Sequence, residues 1–148
     1  MATPARPIAA FRQRLVGDPN LDPLSAALVA LVGDRVGPSF AVDENDQPVY
    51  PCITLYQTEG KQALWAPRTF DPAVMQLQIY SKGDLAQCWA IYELCTQLLH
   101  SQHTLTSSSG LCLHQIVEIF SNSGLWIPED SVWQLTVRYR FFATVLEG

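Results

Sequence analysis

The segment VWQLTVRYRFFATVL, residues 132–146, decides the fold, because apolar and polar side chains alternate along residues 133–140. One face carries Trp133, Leu135, Val137 and Tyr139, and the other carries Gln134, Thr136, Arg138 and Arg140. A period of two is typical of a β-strand with one buried face. The preceding run LHQIVEIFSNSG, residues 113–124, also alternates, with Leu113, Gln115, Val117 and Ile119 on one side. We therefore predict that the two segments pair as antiparallel strands.

Upstream of this pair, DLAQCWAIYELCTQLLHSQ, residues 84–102, has apolar side chains at helical spacing. Residues such as Leu85, Cys88 and Cys95 lie one or two turns apart, and Asp84 precedes them as a capping residue. The pattern predicts a central helix that lies across the sheet.

A second, shorter helix is predicted over about residues 23–33. Asp22 is placed to cap it, Pro23 suits its first turn, and Gly33 ends it. The stretch IAAFRQRLV, residues 8–16, is expected to add a short helical turn. Residues 1–8 contain two prolines among small residues and are predicted to form a flexible arm.

The segments between the two main helices have the composition of strands. VGPSFAV (36–42) and VYPCITLYQ (49–57) flank a polar cluster and are interpreted as a hairpin. MQLQIYS (75–81) is predicted as a third strand, and residues 58–72 as a long excursion before it.

Together these patterns predict one α+β domain over residues 1–148. Its sheet is mostly antiparallel with about five strands, a central helix packs on one face, and a short helix comes first. A length of 148 residues suits one hydrophobic core.

Composition narrows the function classes. Only 16% of residues are charged while 10% are aromatic, which favours buried contacts with other subunits. The formal net charge of −5 argues against a protein that grips duplex DNA, because that affinity comes from basic residues. The sequence contains no long apolar run, so neither secretion nor membrane insertion is expected.

Motifs for chemistry are missing from the sequence. Phosphate-binding loops and nucleophile elbows need glycine signatures that are not present, and the cysteines and histidines do not follow zinc-ligand spacing. The sequence therefore predicts no enzyme, no metal site and no cofactor. The four cysteines are expected to be free, largely buried thiols: Cys52, Cys88, Cys95 and Cys112.

Four weaker features leave alternatives open. The loop 107–110 is interpreted as a turn rather than a nucleophile, and His100 and His103 as solvated helix-end residues. Adjacent Glu129 and Asp130 are expected to diverge in a turn. The last strand's two arginines suit a solvated face, salt bridges to a partner, or a phosphate site.

The segments YPCITLYQ, FDPAVMQLQIYSK, VEIFSNSG and VWQLTVRYRFFA, in this order, resemble the tail-terminator or tail-completion proteins of long-tailed bacteriophages. The resemblance in element order spans residues 20–145. It implies a virion protein whose homo-oligomeric, hexameric ring ends the tail tube and joins it to head-proximal neck proteins. Viral DNA would pass through without specific binding, and assembly would occur in the host cytoplasm.

Two alternatives accompany this resemblance. Within the virion, the chain could be another head-tail joining or tail-tube component. From a different class, a small ligand-binding or enzymatic domain would enclose a pocket lined by Tyr80, Trp89 and Tyr92.

A ring subunit needs contact residues, and Trp and Arg are enriched at such hot spots. The predicted interface residues are Arg6, Phe11, Trp65, Arg68 and Trp126. Alternatively, Trp65 and Trp126 fill the core of the domain. The acidic residues Asp43, Glu44 and Asp46 are predicted to line the channel, where carboxylates repel passing DNA.

Overall fold

The secondary structure of this chain, in a computed structural model, is described for residues 6–17, 19–20, 22–59, 73–100, 102–106 and 111–145. The helices are α1 (Arg6–Arg12, followed by a π-helical turn Gln13–Gly17), α2 (Pro23–Val32) and α3 (Leu85–Leu99). The strands are β1 (Val36–Gly37), β2 (Cys52–Glu59), β3 (Ala73–Lys82), β4 (Gln102–Thr106), β5 (Leu111–Ser121), β6 (Leu125–Ile127) and β7 (Val132–Val145). The predicted α+β class is confirmed.

The described strands form one sheet in the order β1-β2-β3-β7-β5-β4, and β6 pairs with the start of β7. Strand β7 is central: it pairs antiparallel with β3 on one side and with β5 on the other. The predicted pairing of the last two long segments is confirmed. A strand in this position has its apolar side chains covered on the helix side by α3, which explains its regular alternation.

The hydrophobic core lies between the sheet and the helices. Leu135, Val137, Tyr139 and Phe141 of β7 are fully buried in one cluster with Cys88, Ile91, Cys95 and Leu98 of α3. Side chains three and four residues apart share one helix face, so the spacing of α3 sets which side is buried. The helix therefore lies across the sheet as predicted. All four cysteines are buried, and none of them forms a disulfide bond among the described residues.

The N-terminal region differs from the prediction. Residues 6–8 belong to α1 and not to a flexible arm, and Ile8 packs against the core. Phe11 is fully buried, and its ring centroid lies 5.1 Å from that of Phe141 in an edge-on arrangement. The spacing of Ile8, Phe11 and Leu15 places all three on one helix face. Residues 1–5 of the predicted arm lie outside the described part of the chain.

The predicted hairpin over residues 36–57 is wrong in its pairing. Strand β1 pairs parallel with β2, with Val36 opposite Ile53. Only one antiparallel bridge, between Val42 and Pro48, closes the intervening loop. Arg35, between α2 and β1, joins the two segments: its Nε donates to the Pro51 carbonyl at 2.9 Å, and its carbonyl accepts from the Ile53 backbone N–H at 3.0 Å.

Strand β5 departs from strict alternation. Gln115 has a φ of 52°, and the register with β7 shifts between His114 and Val117. The extra residue of this bulge places Leu113 and Ile116 on the same buried side. The predicted faces of this segment therefore hold only up to the bulge.

Two short strands and two boundaries were not predicted. The segment 102–106 forms β4 and 125–127 forms β6. Helix α3 ends at Leu99, because His100 has extended backbone angles. Strand β2 continues to Glu59, so the excursion is shorter than predicted, and residues 60–72 lie outside the described residues. No helix in the described ranges is long and apolar enough to span a membrane.

The cap of α2 allows a direct test. Asp22 Oδ1 accepts from the Leu24 backbone N–H at 2.9 Å, and Asp22 Oδ2 pairs with Arg14 at 3.0 Å. We expect Asp22→Ala to lower the free energy of unfolding by about 1–2 kcal/mol, because a helix N–H loses its acceptor. Urea denaturation measures this. Asp34→Ala removes an exposed carboxylate outside the cap and is the control; an equal loss there would contradict the capping role.

Candidate interaction surface

The sheet has one face without described helices, here called the open face. It consists of the side chains that alternate with the core residues: Thr54, Tyr56, Gln76, Gln78, Tyr80, Gln134, Thr136, Arg138 and Arg140. Most of the face is polar because the apolar neighbours of these residues point into the core. At one end Cys52, Tyr80 and Val132 form a small apolar cluster.

Gln76 stands at the centre of a hydrogen-bonded row across three strands. Its Nε2 donates to the hydroxyl of Tyr56, and its Oε1 accepts from Arg138 Nε at 2.7 Å. The guanidinium carbon of Arg138 lies 5.0 Å from the centroid of the Phe120 ring. Gln76 is only 4% exposed. The Arg138 side chain is therefore fixed by a hydrogen bond to a buried amide and by its contact with the Phe120 ring.

A second row crosses the same face nearer the other end of the strands. Tyr80 donates to Gln78 Oε1 and accepts from Gln134 Nε2, both at 2.8 Å. Burial raises the pKa of Tyr80. Phe40 packs on Tyr80 with ring centroids 4.8 Å apart. The side chains of this row are thus fixed by hydrogen bonds and carry no formal charge.

The two ends of the open face differ in charge. Arg138 and Arg140 are exposed at one end. At the other end an open depression of about 430 Å³ is bordered by Asp43, Gln47, Pro48, Tyr50, Lys82, Glu129 and Asp130. Three carboxylates and one ammonium give this end negative charge. Glu129 and Asp130 lie in a turn, as expected, and both border this depression.

A smaller depression of about 180 Å³ lies on the helix side, between α3 and β5. Glu118 accepts hydrogen bonds from the hydroxyls of Tyr92 and Thr96 at 2.8 Å, and Thr96 also bonds the Tyr139 hydroxyl at 2.7 Å. The Glu118 backbone N–H donates to His100 Nδ1 at 2.9 Å. Sequence analysis missed this cluster, because residues 18 or more positions apart meet only through the α3–β5 contact.

This cluster ties the helix to the sheet. Burial raises the pKa of both Tyr92 and Tyr139, so both phenols keep their protons as donors. Hydroxyls that keep their protons satisfy the half-buried Glu118 carboxylate, which would otherwise be costly to bury. Among the described residues, no His, Cys, Asp and Glu group is arranged to hold a metal ion.

Four exposed apolar side chains lie within one segment of the chain, where Phe120 contacts Arg138 and β6 pairs with the start of β7. Residues 119–126 contain Ile119, Phe120, Leu125 and Trp126, each at least 40% exposed. The Trp126 ring lies 5.2 Å from that of Trp133, so one side of it packs on the protein while 40% stays accessible. Large apolar side chains that stay exposed are common at interaction sites.

The other predicted interface residues fall in different places. Phe11 is a core residue with no accessible surface, so its prediction as a contact residue is wrong. Arg6 begins α1, but its side chain is not among those described. Trp65 and Arg68 lie outside the described residues.

The predicted channel residues share one exposed loop. Asp43, Glu44 and Asp46 are all accessible, and Asp43 accepts backbone hydrogen bonds from Asn45 and Gln47 that shape the turn. The pocket predicted between Tyr80, Trp89 and Tyr92 is not formed. Tyr80 lies on the open face, whereas α3 carries Trp89 and Tyr92 on the helix side.

Comparison with known proteins gives a likeness in fold. No protein-family model and no curated protein sequence matches the chain. Among solved structures, it is similar to a chain from the virion of a native gene transfer agent particle. The two are 18% identical with a TM-score of 0.61, and the match covers 91% of this chain and 92% of the other. The likeness at this identity is one of fold, over nearly the whole length of both chains.

Proposed function

We propose that this protein is a structural component of a phage-like virion. In our proposal, six copies form a ring that ends the tail tube and connects the tail to head-proximal neck proteins. The observation that carries the proposal is the fold match to a virion chain over 91% of the residues. The order of strand motifs along the sequence supports the narrower assignment to the tail end.

The surfaces of the chain suit assembly and not catalysis. Among the described strands, β4 pairs on one side only, with β5, and residues 119–126 carry exposed aromatic and aliphatic side chains. A ring needs a heterologous contact, in which one patch meets a different patch of the next copy. Open strand edges and exposed aromatic residues are common means of such contact. Within residues 119–126, we propose Trp126 as the principal contact residue.

The acidic loop at residues 43–46 is proposed to face the central channel. Its carboxylates are exposed and carry negative charge on a short turn. Negative charge along a channel repels DNA phosphates and so lets DNA pass without being held. A map of the ring with this loop on its outer wall would contradict the placement.

The assembly state provides the test. Light scattering after size exclusion is expected to give six times the 16.5 kDa subunit mass, and electron micrographs are expected to show rings with a central opening. Addition of purified tail tube is expected to place the rings at tube ends. A protein that stays monomeric even with tail tube would contradict the proposal, and stacking into long tubes would favour a tail-tube component.

A further inference from the structure

We propose that the arginine end of the open face, Arg138 and Arg140, is the docking surface for the turn containing Glu129 and Asp130 of a second copy of this chain. The inference rests on the proposed function in one respect, that copies of this chain assemble with one another. It names the surfaces that meet.

The arginine end is prepared for a carboxylate. Arg138 uses Nε to bind Gln76, and no described residue accepts from its two terminal nitrogens. Among the described side chains, neither Arg138 nor Arg140 has a carboxylate within ion-pair distance. Because a guanidinium binds a carboxylate by donating two parallel hydrogen bonds, the outward edge of Arg138 offers the donors that a carboxylate accepts from.

The ordering of Arg138 strengthens this argument. The side chain is held by a buried amide on one side and by the Phe120 ring at 5.0 Å on the other. A long side chain that is already fixed loses less entropy on binding. Phe120 and Tyr56 beside it are 44% and 38% exposed, which supplies the apolar area that a hot spot needs.

The acidic turn has the complementary character. Glu129 and Asp130 are exposed in the turn between β6 and β7, and Lys82 is the single cation bordering the same depression among the described residues. No ion pair joins Lys82 to either carboxylate within the described part of the chain. Unpaired negative charge therefore projects from the end of the sheet opposite to the arginines.

Within one copy the two charged ends cannot meet. Val132 and Arg140 are eight residues apart on one extended strand, which is roughly 27 Å. Between copies they can, and because each copy has one end of each sign, the contact repeats from subunit to subunit. Repulsion between like charges disfavours the wrong contacts, which are arginine end to arginine end and turn to turn.

A phosphate backbone is the competing occupant for the arginine end. Two arginines are few for nucleic acid, whose affinity grows with the number of phosphates neutralised. The net charge of −5 and the acidic depression on the same face oppose it as well. The second copy therefore fits the observations better.

Charge exchange tests the proposal. Arg140→Glu alone and Asp130→Arg alone are each expected to raise the protein concentration needed for half-assembly by about tenfold or more, since like charges then meet. The double variant is expected to regain assembly. An equimolar mixture of the two single variants is also expected to assemble, with the variants alternating around a ring of even number.

Controls separate folding from docking. Both residues are exposed, so thermal unfolding of the single variants is expected to match the wild type. Glu93→Arg makes the same charge change on an exposed carboxylate of α3, on the helix side of the sheet, and is expected to assemble normally.

The outcomes are distinguishable. A wild type that stays monomeric overturns the proposed function and the docking with it. If the wild type assembles and the single variants assemble equally well, the docking proposal is wrong and the proposed function stands. The proposed pairing would also be wrong if neither the double variant nor the mixture regained assembly. So would a fluorescence anisotropy signal for duplex DNA that is lost in Arg140→Glu.

Discussion

Phe11→Ala is expected to lower the free energy of unfolding by about 3–5 kcal/mol. Phe11 is fully buried in the cluster between α1 and the sheet, and its ring lies against Phe141. Truncation to alanine leaves a cavity that the packed neighbours cannot fill. Since domains of this size have roughly 5–15 kcal/mol in total, the loss is a large part of the stability. Urea denaturation followed by circular dichroism measures it.

Phe120→Ala is the matched control, because it removes the same ring from an exposed position. The expected loss is about 1 kcal/mol or less, from the contact with Arg138. Phe120→Ala is expected to weaken assembly with little loss of stability, whereas Phe11→Ala is expected to destabilise the folded subunit itself. A Phe11→Ala protein with unchanged stability would contradict the role of Phe11 in the core.

Stability is also expected to fall steeply above pH 9. Burial raises the pKa of Cys52 and Cys95 to about 12 and that of Cys88 to about 11, from a usual value of 9.0. Below pH 9 these thiols are protonated in both folded and unfolded chains. Above it the unfolded chain loses the protons and the folded chain keeps them, so the contribution is progressively lost as pH rises towards the folded values.

The expected slope is about 1.4 kcal/mol per pH unit for each thiol, or roughly 4 kcal/mol per unit for the three. Buried Tyr139 adds to the loss above pH 10, because its pKa is raised too. Urea unfolding at several pH values from 8 to 10.5, with reductant present, gives the slope. Cys95→Ala should reduce it by about a third. A slope that Cys95→Ala leaves unchanged would refute the assignment to buried thiols.

Local pattern was enough for much of the fold. The alternation in residues 132–140 and the helical spacing of residues 85–99 each predict an element, its buried side and its neighbour. Asp22 and Asp84 were predicted as caps, and each accepts a backbone hydrogen bond at its helix start. These features depend on residues a few positions apart, which is the range that periodicity reports.

The sequence predicted less of the candidate interaction surface than of the fold. Arg138 and Arg140 could be placed on one strand face, but their position at the end opposite to Glu129 and Asp130 depends on the register of β3, β6 and β7. The row from Tyr56 through Gln76 to Arg138 joins three strands that are far apart in sequence. Trp126 could not be assigned to core or surface until its contact with Trp133 was known.

The sequence by itself determined the α+β class, the two main helices, the antiparallel pairing of the last long strands and the burial of the cysteines. Only the tertiary structure decided that β1 runs parallel to β2, that Gln115 forms a bulge, and that residues 6–8 belong to a packed helix. The physical reason is the same in each case. Those features depend on free energy gained from contacts between distant segments, such as Phe11 with Phe141, and local periodicity does not record such contacts.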